Sequence, residues 1–284
     1  MNEFTFSSQD LSSSFGQINV EGKAEVGKEL DITIQGEIKD VKQARQFTSV
    51  ILSQNFEFPE IRGKGKSNIH IFGDYDLPQI KADFAFTPGG YDRFDVDSVE
   101  GEVELIRDEF FGRFRIDDPF MKGKISLFSS PEGLKVDIQL DRGLIERIFP
   151  GFDIDFPLRG EASGNFEVKL KYEDIQLKST FSSSSLNFAD KNLRDISGKL
   201  EWQGDALSFS DLQFYLHGGV VKGNASVDLR AEGFDIDIRG EDIDLSSLYA
   251  DVKGNLGFSL KGKGVLGQDL ALGNFEIKRK FPSR

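Results

Sequence analysis

At 284 residues and 38% hydrophobic content the chain has enough apolar material for a sizeable core, which excludes a purely disordered polymer. A formal net charge of −13, with no dense Lys/Arg cluster to set against it, excludes a phosphate backbone, and hence nucleic acid, as the natural partner. The absence of cysteine removes disulfides, thiolate metal sites and thiol nucleophiles while leaving the compartment open.

The opening segment MNEFTFSSQD has neither a basic start nor an apolar stretch. No run approaches the roughly 20 apolar residues of a membrane helix. An export signal or anchor is therefore expected outside this chain, and the abrupt start and basic ending KRKFPSR are read as a piece of something longer. Strict alternation then predicts strands at Leu30, Ile32 and Ile34, at Leu134, Val136, Ile138 and Leu140, and at Phe166, Val168 and Leu170. The same period returns at Leu212, Phe214 and Leu216, at Phe234, Ile236 and Ile238, and at Leu256, Phe258 and Leu260. Apolar residues three or four apart predict helical turns at Val41 to Leu52 and Gly143 to Phe149. With no crossover helices between most strands, an antiparallel meander is expected over a parallel α/β fold. The 27 Phe against one Trp and five Tyr favour contacts that are apolar throughout.

Internal repetition sharpens this. GKISLFSSPEGLKVDIQLD from Gly123 lies over GNASVDLRAEGFDIDIRGE from Gly223 without a gap, and GKAEVGKELDITIQGE from Gly22 is a third copy with a shorter turn. Each is followed by a helical or turn-like segment and a glycine-punctuated strand, so the unit is strand, turn, strand, short helix, strand. Units that each expose an apolar face must stack to hide it. Three regions are expected: a first β repeat with a short helix at 1–60, a second at 61–158, and a third at 159–284, with one continuous sheet as the alternative.

The run DISGKLEWQGDALSFSDLQFYLHGGVVKGNASVDLRAEGFDIDIRGEDIDLSSL, from Asp195 to Leu248, resembles the repeat of the AsmA and TamB proteins of bacterial envelopes. In that repeat a strand pair ending near a Gly-Gly, here Gly218 and Gly219, leads into a strand like VVKGNASVDL, then one like DIRGEDIDLSSL and a turn. GKGKSNIHIFGDYDLPQIKADFAF and GNLGFSLKGKGVLGQDLALGNFEI resemble its following portion. The resemblance covers most of the chain, most closely from Gly160 onward and least from Tyr91 to Phe120. It implies an all-β, elongated antiparallel sheet curled into a half-pipe or β-taco, with a few short helices. It also implies a periplasmic, non-enzymatic lipid transport role in outer membrane biogenesis, with an inner-membrane anchor outside this chain and phospholipid as cargo. The alternative is a structural module that assists outer-membrane protein assembly, through an outer-membrane assembly protein, by edge-strand pairing.

A conducting groove would shield acyl chains whose exposure costs about 0.8 kcal/mol per methylene. Strands of about eight or nine residues would span roughly 28 Å. Its expected lining is Phe166, Val168, Leu170, Leu212, Phe214, Leu216, Val227, Leu229, Phe234, Ile236, Ile238, Phe258 and Leu260. The competing explanation of the same residues is the packed core of a sandwich or barrel.

No cofactor, catalytic residue or metal site is expected. His70 and His217 lack a partner histidine. The acidic stretch Asp92, Asp95, Asp97, Glu100 and Glu102 lacks the glycine and distal Glu of a calcium loop. The pairs Asp153/Asp155, Asp235/Asp237 and Asp242/Asp244 have the spacing of a solvent-facing strand edge rather than of a glycosidase dyad. Ser182 to Ser185 read as a turn or loose edge, and Gly63/Gly65 and Gly262/Gly264 as bends or bulges.

Overall fold

A computed structural model describes residues 3–13, 16–39, 61–91, 94–148, 158–171, 174–188, 191–228, 230–231, 233–247, 253–265 and 274–280. The chain divides into two compact units, residues 1–138 and 139–284. Unit 1 carries β1 (Glu3–Ser13), β2 (Gly16–Glu25), β3 (Glu29–Ile38), β4 (Ile61–Asp74), β5 (Pro78–Tyr91), β6 (Phe94–Val96), β7 (Ser98–Ile106), β8 (Glu109–Asp117) and β9 (Met121–Ser130). The boundary falls inside β10 (Gly133–Leu144). Unit 2 continues with α1 (Ile145–Ile148), β11 (Leu158–Lys171), β12 (Asp174–Phe188), β13 (Lys191–Gln203), β14 (Ala206–Leu216), β15 (Gly219–Asp228), β16 (Gly233–Asp244), a 3₁₀ turn (Leu245–Ser247), β17 (Asn255–Val265) and β18 (Asn274–Lys280).

The all-β antiparallel class expected from period two is what forms, with strands at every predicted position. Within unit 1, β1 to β5 pair in order, β5 pairs with both β6 and β7, and β7 to β9 follow. Within unit 2, β11 to β18 pair in order. Neither β9 with β1 nor β18 with β11 is paired, so each run is an open meander. The three repeat copies are the hairpins β2–β3, β9–β10 and β15–β16. The expected helix at Gly143 to Phe149 shortens to the single turn α1, and that at Val41 to Leu52 lies outside the described residues.

Strands β11 to β17 run from 10 to 15 residues, longer than the eight or nine expected. The difference has a local cause. Glycines that look like separators in the sequence, among them Gly164, Gly198, Gly223 and Gly240, sit inside the strands. Beta-bulges absorb further residues without ending the ladder. Register slips beside Asp195, Asp211 and Asp242, each at φ near 50°. Aspartate tolerates that left-handed conformation better than most side chains.

Candidate functional site: an apolar sheet face

Cross-strand register decides which side chains share a face. In unit 2 one row runs Val168, Leu177, Trp202, Leu207, Val227, Phe234, Gly264, and the next Phe166, Ser179, Leu200, Phe209, Ala225, Ile236, Gly262. Further along the same face Leu212, Gly223, Ile238 and Leu260 align, then Phe214, Val221, Gly240 and Phe258. Leu170 and Leu216 complete it, opposite Ile175 and Gly219. Twelve of the thirteen residues expected from the sequence therefore stand on one face, while Leu229 lies outside the described residues.

The reverse face of unit 2 is mostly polar. Ser208, Ser226, Asp235 and Lys263 form one of its rows, and Asn224, Asp237 and Lys261 part of another.

All twelve residues are half-buried, neither sealed in a core nor standing free. A side chain between two packed sheets would be buried. The buried apolar side chains of the described residues are Ile18, Ile38, Ile71, Phe86, Val96, Ile145, Leu186, Ile196, Val221 and Ile243, which include a single Phe. In unit 2 Val221 and Ile243 are the most deeply buried, and at one margin Ile145 of α1 packs with Leu186 and Ile196, with Phe181, Leu193, Leu212 and Phe214 around them.

The pairing of Phe with Gly supplies part of the rings' cover. A Cβ at Gly240 would lie 2.3 Å from Cε1 of Phe258, and one at Gly264 would lie 2.5 Å from Cζ of Phe234. Each ring lies across the bare α-carbon of the opposing strand, covering one of its own faces with backbone. Unit 1 repeats the device. Phe84 and Phe114 both reach over Gly101, within a row running Ile18, Gly36, Ser67, Phe84, Gly101, Phe114, Ile125.

Two features single out positions on the unit 2 face. Trp202, the chain's one tryptophan, is half-buried there, and its indole N–H donates to the Gly204 carbonyl at 2.7 Å. Ser179 is buried between Phe166 and Leu200 with no hydrogen-bond partner for its hydroxyl among the described residues, whereas buried Ser183 donates to the Glu161 carbonyl and accepts from the Ser185 amide.

Expectation from the sequence named neither Trp202 nor Leu177, Phe181, Leu200, Leu207, Phe209 and Val221, although Leu200-Glu201-Trp202 and Leu207-Ser208-Phe209 alternate visibly.

The remaining candidates fall on polar surfaces. Clefts of about 930 Å³ in unit 1 and about 740 Å³ in unit 2 draw on residues of both faces, Glu37, Lys66 and Glu102 with Phe84, Phe114 and Ile125 in the first, and Ser208, Asp235 and Lys263 with Phe209, Ala225 and Ile236 in the second. In the second, Asp235 pairs with Lys263 at 2.9 Å and Asp237 with Lys261 at 2.6 Å, and the Asp235 hydrogen bond holds the Lys263 ammonium above its usual pKa. Asp242 sits at its bulge, and Asp244 is bound by Ser246. The pair Asp153/Asp155 and residue Asp92 lie outside the described residues. Asp95 pairs with Arg62 at 2.7 Å and Glu102 with Arg113 at 2.8 Å. His70 contacts Asp31 at 2.8 Å and stacks on Phe72, while the His217 carbonyl accepts from the Asp244 amide. Among the described residues no three His, Cys, Asp or Glu side chains gather to hold a metal. Ser182 to Ser185 belong to β12 rather than to a turn, and Gly63/Gly65 flank a bulge. Gly262 and Gly264, expected at a bend, lie instead in regular register opposite Ile236 and Phe234.

No protein-family model, curated protein or solved structure matches this chain.

Proposed function

We propose that this chain is a lipid-binding or lipid-conducting segment of an AsmA/TamB-like envelope protein, in which the apolar face of unit 2 shields phospholipid acyl chains from water. The observation that carries this reading is the half-burial of the twelve register-aligned residues, held up by rings lying over glycine. An acyl chain laid on such a half-covered face supplies further apolar contacts at about 0.8 kcal/mol per methylene. A row crossing seven strands at about 4.8 Å spacing runs roughly 29 Å. The ion-paired reverse face suits water. In this reading the chain binds or passes lipid without a chemical step. It works in the periplasm between inner and outer membranes. That placement rests on the resemblance from Asp195 to Leu248.

Trp202 makes the test direct. Phospholipid brominated in its acyl chains should quench the fluorescence of Trp202, and phospholipid should accompany the detergent-free chain in native mass spectrometry. A folded chain that carries no lipid and shows no quenching would sink the proposal and favour a closed β module that pairs with a protein partner.

A further inference from the structure

The turns Val26–Lys28 and Tyr75–Leu77 join β2 to β3 and β4 to β5 at one margin of unit 1. The Tyr75 amide donates to the Lys28 carbonyl at 3.2 Å and ties the two tips together. Val26 is 56% exposed, Tyr75 40% and Leu77 60%, and Phe4, opposite Ala24 on β1, is 55% exposed. Large apolar side chains that project from turns with nothing over them mark a contact surface.

Three observations bear on what that contact is. Several tip amides are already satisfied: that of Lys28 donates to the Glu25 carbonyl, that of Leu77 to the Asp74 carbonyl, and that of Asp76 to the Asp74 carboxylate. Each such bond lowers the cost of moving a turn out of water, because lipid offers a backbone amide no partner. The charge is acidic. Lys23 pairs with Glu3 at 2.9 Å and Lys28 with Glu25, while Glu29, Asp74 and Asp76 carry no ion pair among the described residues. The surplus of carboxylates at the tips repels an anionic surface and complements the ammonium groups that zwitterionic head groups present outermost. Finally, Leu30, Gly73 and Pro78 are in register directly behind the tips, so the patch is continuous with the apolar face of unit 1.

We propose that these two hairpin tips seat on an electrically neutral, zwitterionic lipid bilayer. The inference extends the lipid reading of the apolar faces by giving them a point of exchange with a membrane, and rests on it for that purpose. Interfacial docking of this kind scales with the apolar area inserted.

The test is flotation of the full chain with vesicles of pure phosphatidylcholine. The double variant Val26→Ser/Leu77→Ser should weaken partitioning by roughly tenfold or more. Enriching the vesicles in phosphatidylglycerol should weaken binding of the unmodified chain, and added salt should restore it. Unchanged flotation of the variant, absence of binding by the unmodified chain, or preference for the anionic vesicles would each overturn the proposal. Both side chains are more than half exposed, so the variant should keep its β-sheet circular dichroism. Quenching of Trp202 by a monomeric short-chain brominated phospholipid separates the two claims. It should survive in the variant, and its absence from the unmodified chain would count against the lipid reading rather than against the docking site.

Discussion

Phe258 lies over Gly240: a methyl group at residue 240 would stand 2.3 Å from Cε1 and 2.7 Å from Cδ1 of that ring, and 2.9 Å from Cδ1 of Ile243. The two residues are directly opposed on β17 and β16. Ring and glycine form one unit, because the ring can lie flat only where the opposing strand has no side chain.

Gly240→Ala should therefore force the Phe258 ring off the sheet and destabilise unit 2 by about 1–3 kcal/mol, an overpacking cost. Phe258→Leu in the same chain should recover part of the loss. A double-mutant cycle in urea checks it, and additive effects would mean that the two residues do not act as a unit.

Ser179 and Ser183 are both buried, on the same strand, with opposite hydrogen-bonding states. Ser179→Ala removes an unpaired hydroxyl and should be neutral or stabilising by up to about 1 kcal/mol. Ser183→Ala strips the partner from the Glu161 carbonyl and should cost about 1–3 kcal/mol. Denaturation midpoints that move in the same direction for both variants would contradict this account.

Position on the face should separate folding from lipid capture. Phe214 packs against the buried cluster of Ile145, Leu186 and Ile196, so Phe214→Asp should unfold unit 2 by burying a charge, at a cost of several kcal/mol. Phe234 lies away from that margin, over Gly264. Phe234→Asp should keep β-sheet circular dichroism and lose quenching of Trp202 by brominated lipid. Full quenching in this folded variant would argue against the face as the acyl site.

Asp244 accepts from the Ser246 hydroxyl and amide, and these bonds hold its carboxyl below the ordinary value of 3.8. The native state thus resists protonation more than the unfolded chain does. The bonds contribute stability above the unfolded pKa of about 3.9, and the contribution disappears as pH falls through the lower folded value. Asp244→Asn should be less stable than the unmodified chain at neutral pH and converge with it in acid. Urea midpoints that differ equally at both pH values would show that another interaction sets the difference.

Period two in the sequence determined the strands, their two-faced character and the side on which Phe166, Leu212, Phe234 and their neighbours would stand, because alternation is a property of neighbouring residues along the chain. The hairpin repeats were equally legible, since turn and alternation recur together at Gly22, Gly123 and Gly223. Only the tertiary structure decided phase and cover. Bulges beside Asp195, Asp211 and Asp242 let residues three apart, such as Phe209 and Leu212, share a face, and a bulge exists only where two strands are matched against each other. Gly264 reads as a bend or bulge in the sequence, whereas in the structure it lies under the ring of Phe234 as Gly240 lies under that of Phe258. Which positions of the face are buried, Val221 and Ser179 as well as the margin under Ile145, depends on elements distant in sequence, so no local pattern encodes how deeply each residue of an apolar face is covered.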